Sequence, residues 1–193
     1  CAFNLILGYG GLLSFGHAAF FGGAAYVTGH AIKVWGLPTE LGLLVGAGSA
    51  AILGYFIGLL AIRRQGIYFA MITLALAQMV FFLFTSADFT GGENGLQGVP
   101  RGYALGIIDL QNNMNMYYFV LAVFVIGFLI IARAVHSPFG QILGAIRDNE
   151  VAAQAMGKDV TKRHLQIFVL GSALCGLAGA MMTTLDGQLV PGS

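Results

Sequence analysis

An all-α fold, a polytopic bundle of about five to six membrane-crossing helices, is what this sequence predicts. Three observations predict it. Of 193 residues, 58% are hydrophobic and only 9% are charged, where soluble domains usually carry about 25%. The mean hydropathy is +0.83, and the apolar residues are gathered into runs long enough to cross a bilayer. All four prolines (Pro38, Pro100, Pro138 and Pro191) fall between those runs, as intact helices require.

The runs come in order. Residues 1–32 contain no Asp, Glu, Lys or Arg. Leu41 to Ile62 is 22 residues without charge, 65–87 is 23, Asn115 to Ala132 is 18 and Leu165 to Leu185 is 21. Each is close to the roughly 20 residues a spanning helix needs. The first run is interrupted by GYGGLLSFG (8–16), four glycines in nine residues. It therefore predicts one helix ending near Gly8 and a second beginning near Ser14, with Ser14 as its cap. Backbone freed at membrane depth must be covered by protein or line a water-filled cavity.

Positive charge predicts which side faces the cytoplasm. If the spans alternate, one side collects Arg63, Arg64, Arg133, Arg147, Lys158, Lys162 and Arg163, seven of the nine basic residues. The other holds Lys33 and Arg101, with Asp88, Glu93 and Asp109 in its long loop. The segment 137–164 is thus expected in the cytoplasm, and TGGENGLQGVPRG (90–102) outside. Whether the chain carries a targeting signal cannot be read, because it begins at Cys1 and reads as a fragment of a longer chain.

Small residues suggest how the helices pack. Gly42, Gly46, Ala50, Gly54 and Gly58 recur every fourth residue, and Ser172, Gly176 and Ala180 repeat the pattern on the last span. Such a strip admits a neighbouring backbone, the main route to helix association in lipid. A glycine-lined pore wall is the alternative. Cys1 and Cys175, the only cysteines, are read as small hydrophobes.

Chemistry is sparse. No phosphate-binding GxxxxGK[ST] loop, H-E-x-x-H or paired cysteine ligands occur, so no catalytic or metal-binding residue is expected. Polar groups inside spans are functional candidates. Ser14, His17, Thr73 and Gln78 are the candidates for a translocation path, although His17 would equally satisfy a carbonyl freed by the glycine break. Acidic residues are missing from the spans unless Asp186 dips in, which argues against a carrier driven by ion gradients and for external energy input.

The segment SPFGQILGAIRDNEVAAQAMGKDVTKRH (137–164) holds seven of seventeen charged residues. Ser137-Pro138 has the grammar of a helix start and Gly157 of a helix end. One helix over 137–157 is expected, with Ile142, Ile146, Ala153 and Met156 on one face. Its near balance of charge suits a protein groove better than a lipid surface.

Glu150, Ala152, Ala153 and Gly157 resemble the coupling motif of bacterial ABC importer permeases, which reads Glu-Ala-Ala, three residues, Gly, nine residues, Ile-x-Leu-Pro. Ala153, Gly157 and Ile167 keep its spacing, whereas Val151 stands at the Glu position and Val169 at the Leu. The stretches 8–29, 63–79, 90–100 and 137–160 together look like the LivM-type permease of branched-chain amino-acid importers. That resemblance implies a single transmembrane permease domain over 1–193, short of the family's first and last helices, with 137–164 as its cytoplasmic coupling loop. It implies a bacterial inner membrane setting and four protein partners in membrane lipid: a second permease, two cytoplasmic ATPase subunits and an extracytoplasmic binding protein. ATP and Mg would sit on the ATPases, with no cofactor in this chain and no nucleic-acid partner. Arg147, Glu150, Ala152, Ala153 and Gly157 would then form the ATPase-coupling site. Importers of urea or short amides, and a membrane subunit without transport activity, are the alternatives.

Overall fold

The computed structural model describes residues 2–63, 66–86, 96–97, 103–104, 108–109, 112–157, 159–186 and 188–189. Eight helices account for nearly all of them: α1 (Ala2–Gly10), α2 (His17–Lys33), α3 (Thr39–Ala61), α4 (Ile67–Ser86), α5 (Asn113–Val135), α6 (Pro138–Asp148), α7 (Glu150–Ala155) and α8 (Val160–Asp186). Four of these, α3, α4, α5 and α8, are long and apolar enough to cross a membrane. At 17 residues, α2 stands at the short limit for spanning. The connectors hold two antiparallel pairings of two residues each, β1 (Leu96–Gln97) with β4 (Gln188–Leu189) and β2 (Tyr103–Ala104) with β3 (Ile108–Asp109). They are too short to form a layer, and the molecule is a helical bundle.

α8 is the central post, with α2 and α3 packed along it. Small residues set both registers. Gly58 meets Leu165 and Phe168, Gly54 meets Ser172, Ala50 meets Gly176 and Gly46 meets Ala180, so α3 runs antiparallel to α8. Cys175 reaches His17, Gly179 reaches Phe21 and Thr183 reaches Ala25, so α2 runs parallel to it. At each glycine a side chain or backbone of one helix fills the space a Cβ would take on the other, while Cys175 and Thr183 donate to carbonyls of α2. Packing density therefore replaces the hydrophobic force that lipid does not supply. Phe168 plugs the middle, edge-on to Phe20 at 5.6 Å and to Phe69 at 5.8 Å between ring centroids.

α4 leans on α2, where Phe84 stacks on Tyr26 at 5.9 Å. α5 stands apart. Met116 is its one buried residue, and its ends rest on Leu185 of α8 and on α6. The first helix ends at Gly10 rather than near Gly8, and the second begins at His17 rather than near Ser14. Gly11 takes a positive φ of 64°, which stops α1 there. Ser14 does not cap α2 as a flanking residue would. Its hydroxyl instead accepts from the Gly16 amide at 3.1 Å inside the connecting loop.

Candidate functional site

Two regions hold the coupling residues and His17, and α1 lies between them. The first is the α6–α7 elbow. Pro138 opens α6 as the sequence suggests, but Ser137 before it does not cap the helix with its side chain, whose hydroxyl donates back to Ala134 O at 2.6 Å, and one continuous helix to 157 does not form. The chain breaks at Asn149, which turns to an extended conformation with φ −156° and ψ 97°. Its side chain then accepts from the Ala152 amide at 3.0 Å and caps α7, because Asn satisfies a helix-start donor well. Sequence reading missed this break. Asn149, a favoured helix-capping residue set directly before the acidic Glu150, was the available signal.

The break reorganises the expected face. Ile142, Ile146, Ala153 and Val160 cluster inside the elbow, with Ala153 only 2% exposed. Met156 does not join them. It is 68% exposed, and Val151 is 78% exposed, so two apolar side chains project from α7 together with the exposed Ala152. Glu150 accepts from the Gln154 amide nitrogen at 3.3 Å along the helix surface. Gly157 ends the elbow with φ 74°, a conformation L side chains rarely adopt. Arg147 points away from these residues and donates to the Gly8 carbonyl of α1.

Charge collects at this same end of the bundle. The antiparallel register of α3 and α8 places Arg63 beside the start of α8, which carries Lys162 and Arg163, and α5 delivers Arg133 there. Arg163 lies 5.8 Å from the Phe139 ring centre of α6. Of the described basic residues, Lys33 alone stands at the other end. Arg64, Arg101, Lys158 and the loop stretches 90–95 and 98–102 lie outside the described residues.

The second region is a groove of about 530 Å³ between α5 and the face formed by α1, α2 and α8. Phe3, Phe21, Phe124, Phe128 and Met181 are among its walls, and its polar contributions come from His17 and Cys175. His17 donates from Nδ1 to the Ser14 carbonyl at 3.2 Å, while its Nε2 is buried with no hydrogen-bond partner. Phe3 meets the His17 ring edge-on at 5.2 Å. Cys175 donates from Sγ to the His17 carbonyl at 3.3 Å, so it ties α8 to the start of α2 rather than merely filling space.

The four path candidates separate. His17 lines the groove. Ser14 and Thr73 are buried beside the glycine break instead, where they serve its backbone: the Thr73 hydroxyl accepts from the Phe15 amide at 3.3 Å and donates to Ala70 O at 2.9 Å. Gln78 is exposed on the outer face of α4, away from the groove. Gly42, Gly46, Ala50, Gly54 and Gly58 are all buried in the contacts with α2 and α8. Among the described residues no group of three His, Cys, Asp or Glu side chains could hold a metal ion.

Comparison with known proteins gives a consistent picture. The family described as "Branched-chain amino acid transport system / permease component" matches residues 1–191. The high-affinity branched-chain amino acid transport system permease protein LivM of Escherichia coli (strain K12) is 25% identical over 213 residues, covering 98% of this chain and 50% of that protein. A probable branched-chain amino acid transport permease protein LivM of Methanocaldococcus jannaschii is 25% identical over 146 residues, 73% of this chain and 42% of that one. The fructose import permease protein FrcC of Rhizobium meliloti is 25% identical over 166 residues, 81% of this chain and 44% of that one. The chain thus spans about half the length of the curated relatives it matches. No solved structure matches it.

Proposed function

Since the chain belongs to the branched-chain amino acid transport system permease family, and is a multi-pass membrane protein of the LivM type, we propose that it forms the membrane path of an ATP-binding-cassette importer for branched-chain amino acids in the bacterial inner membrane. The observation that carries this reading is the α6–α7 elbow. Two large apolar side chains, Val151 and Met156, project from a short capped helix at the positively charged end of the bundle. Exposed apolar knobs outside the membrane ask for a protein groove, and the positive charge around them favours a cytoplasmic one.

In this mechanism two ATPase subunits, one on this chain and one on a second permease, receive the elbows. ATP and Mg on those subunits supply the energy when their dimer closes. The elbow moves as a unit because Ile146, Ala153 and Val160 lock α6, α7 and the start of α8 together. A loaded binding protein docks outside and releases its cargo to the path between the permeases. Within the elbow, Val151, Ala152 and Met156 offer contact, Ala153 and Gly157 hold the shape, and Arg147 faces inward.

The groove favours an apolar cargo. Its aromatic and aliphatic walls suit an isobutyl or isopropyl side chain, while the charged ammonium and carboxylate of such a cargo would have to be met by groups outside these walls. Similarity to the fructose import permease makes sugar import the second reading. Competition decides between them. With the full-length chain and its partners in proteoliposomes, excess leucine, isoleucine or valine should block uptake of labelled leucine, and fructose, ribose or urea should not. ATP-dependent uptake of fructose with no uptake of leucine would replace this reading with the second.

A further inference from the structure

α6 sits at a junction, and one of its contacts is charged. Leu143 packs with Leu5 and Ile167, Ile146 faces the other way into the elbow, and Gly140 lies directly on the Val135 carbonyl at the end of α5. One turn beyond Leu143, Arg147 donates from Nη1 to the carbonyl oxygen of Gly8. That oxygen belongs to the last turn of α1, where carbonyls lack partners within the helix and the negative end of the helix dipole favours a cation. Arg147 therefore caps a helix 139 residues away in sequence.

α1 carries the contact onward. It is a rod of nine residues, roughly 14 Å at about 1.5 Å per residue. Ile6 fills the space over Gly171 of α8, and at the far end Ala2 and Phe3 line the groove, Phe3 against the His17 ring. The non-helical stretch 11–16 joins α1 to α2 and opens with Gly11 at positive φ, so α1 can tilt without dragging the α2 helix along its axis.

We propose that Arg147 is the positioning residue that latches α1 to the α6–α7 elbow, so that movement of the elbow tilts α1 and shifts Phe3 against the His17 ring at the groove wall. The inference rests on the coupling function proposed above. The apolar contact of Leu5 with Leu143 is non-directional and permits sliding. A charge-assisted bond to a backbone oxygen fixes distance and direction together. Sequence alone gives Arg147 the look of a contact for the ATPase. Its geometry turns it toward the membrane path instead.

The test uses the full-length chain assembled with its partner subunits in proteoliposomes, with Cys1 and Cys175 replaced by Ser. Ala2→Cys reports on the groove and, in a separate preparation, Val151→Cys reports on docking of the ATPase. Labelling by a water-soluble maleimide is compared with and without ATP trapped by vanadate. In the parent, trapping should change Ala2→Cys labelling several-fold. Arg147→Met should abolish that change while Val151→Cys remains protected, and Arg147→Lys, which keeps a charged donor, should retain most of it. A full response at Ala2→Cys in Arg147→Met overturns the latch. Loss of Val151→Cys protection in Arg147→Met also overturns it, because the residue would then shape docking. If Val151→Cys is never protected in the parent, the coupling reading itself falls.

Discussion

The Ser172 hydroxyl occupies the space that a Cβ on Gly54 would take. Two helices thus approach until one has no room for a side chain, and the same occurs where Thr28 meets Gly46 and Ala50 meets Gly176. Gly54→Leu is expected to lower stability by about 1–3 kcal/mol or to prevent assembly, since the overlap falls on a short side chain with nowhere to turn. Gly48→Ala is the control, with nothing near its missing Cβ. Thermal unfolding in detergent should show a lower Tm for the first and a Tm equal to or slightly above the parent's for the second.

The Ser172 hydroxyl matters to the interface by shape alone. It donates to Val169 O at 2.9 Å within its own helix, so Ser172→Ala removes no hydrogen bond between helices and gives up only the packing of Oγ against Gly54. Its Tm should stay near the parent's, whereas Ser172→Leu should fall as far as Gly54→Leu.

Asn149 divides the elbow. Asn149→Ala removes the acceptor for the Ala152 amide and should cost α7 about 1 kcal/mol of local stability. Hydrogen exchange should quicken over 150–156 and remain unchanged in α3. Asn149→Asp, which keeps the acceptor, should restore protection.

Thr73 supports the glycine break. Thr73→Val keeps the shape but leaves the Phe15 amide without its acceptor, a loss of about 1 kcal/mol for a part-buried bond. Limited proteolysis should then cut within 11–16 sooner, and Thr73→Ser should reverse the effect.

Val151 and Met156 separate coupling from folding. Both are exposed, so Val151→Asp with Met156→Asp should leave insertion and Tm as they were. ATP-driven uptake should nevertheless drop at least tenfold, as loss of about 1.4 kcal/mol of docking energy already implies. Gly157→Trp is a poorer probe, because φ 74° strains any side chain there whatever it docks against.

Much of the fold was legible in the sequence because a membrane imposes length and apolarity directly. The stripe from Gly42 to Gly58 and the repeat of Ser172, Gly176 and Ala180 were each visible as four-residue spacing. Nothing in that spacing says that the two stripes face one another in antiparallel register. The site was less legible. Asn149 breaks the expected helix because its side chain competes for a backbone amide, a local choice that apolar periodicity does not register. Met156 turned outward as a consequence, and Val160 took its place. The bond from Arg147 to Gly8 joins residues that no local pattern relates.

The most direct test of the account is the energy source of transport. Labelled leucine should accumulate in proteoliposomes carrying the full-length chain with its ATPase and binding-protein partners. Accumulation should require ATP on the side of Val151 and Met156, and should survive collapse of the proton and sodium gradients. Uptake that proceeds without ATP and stops when those gradients collapse would contradict it.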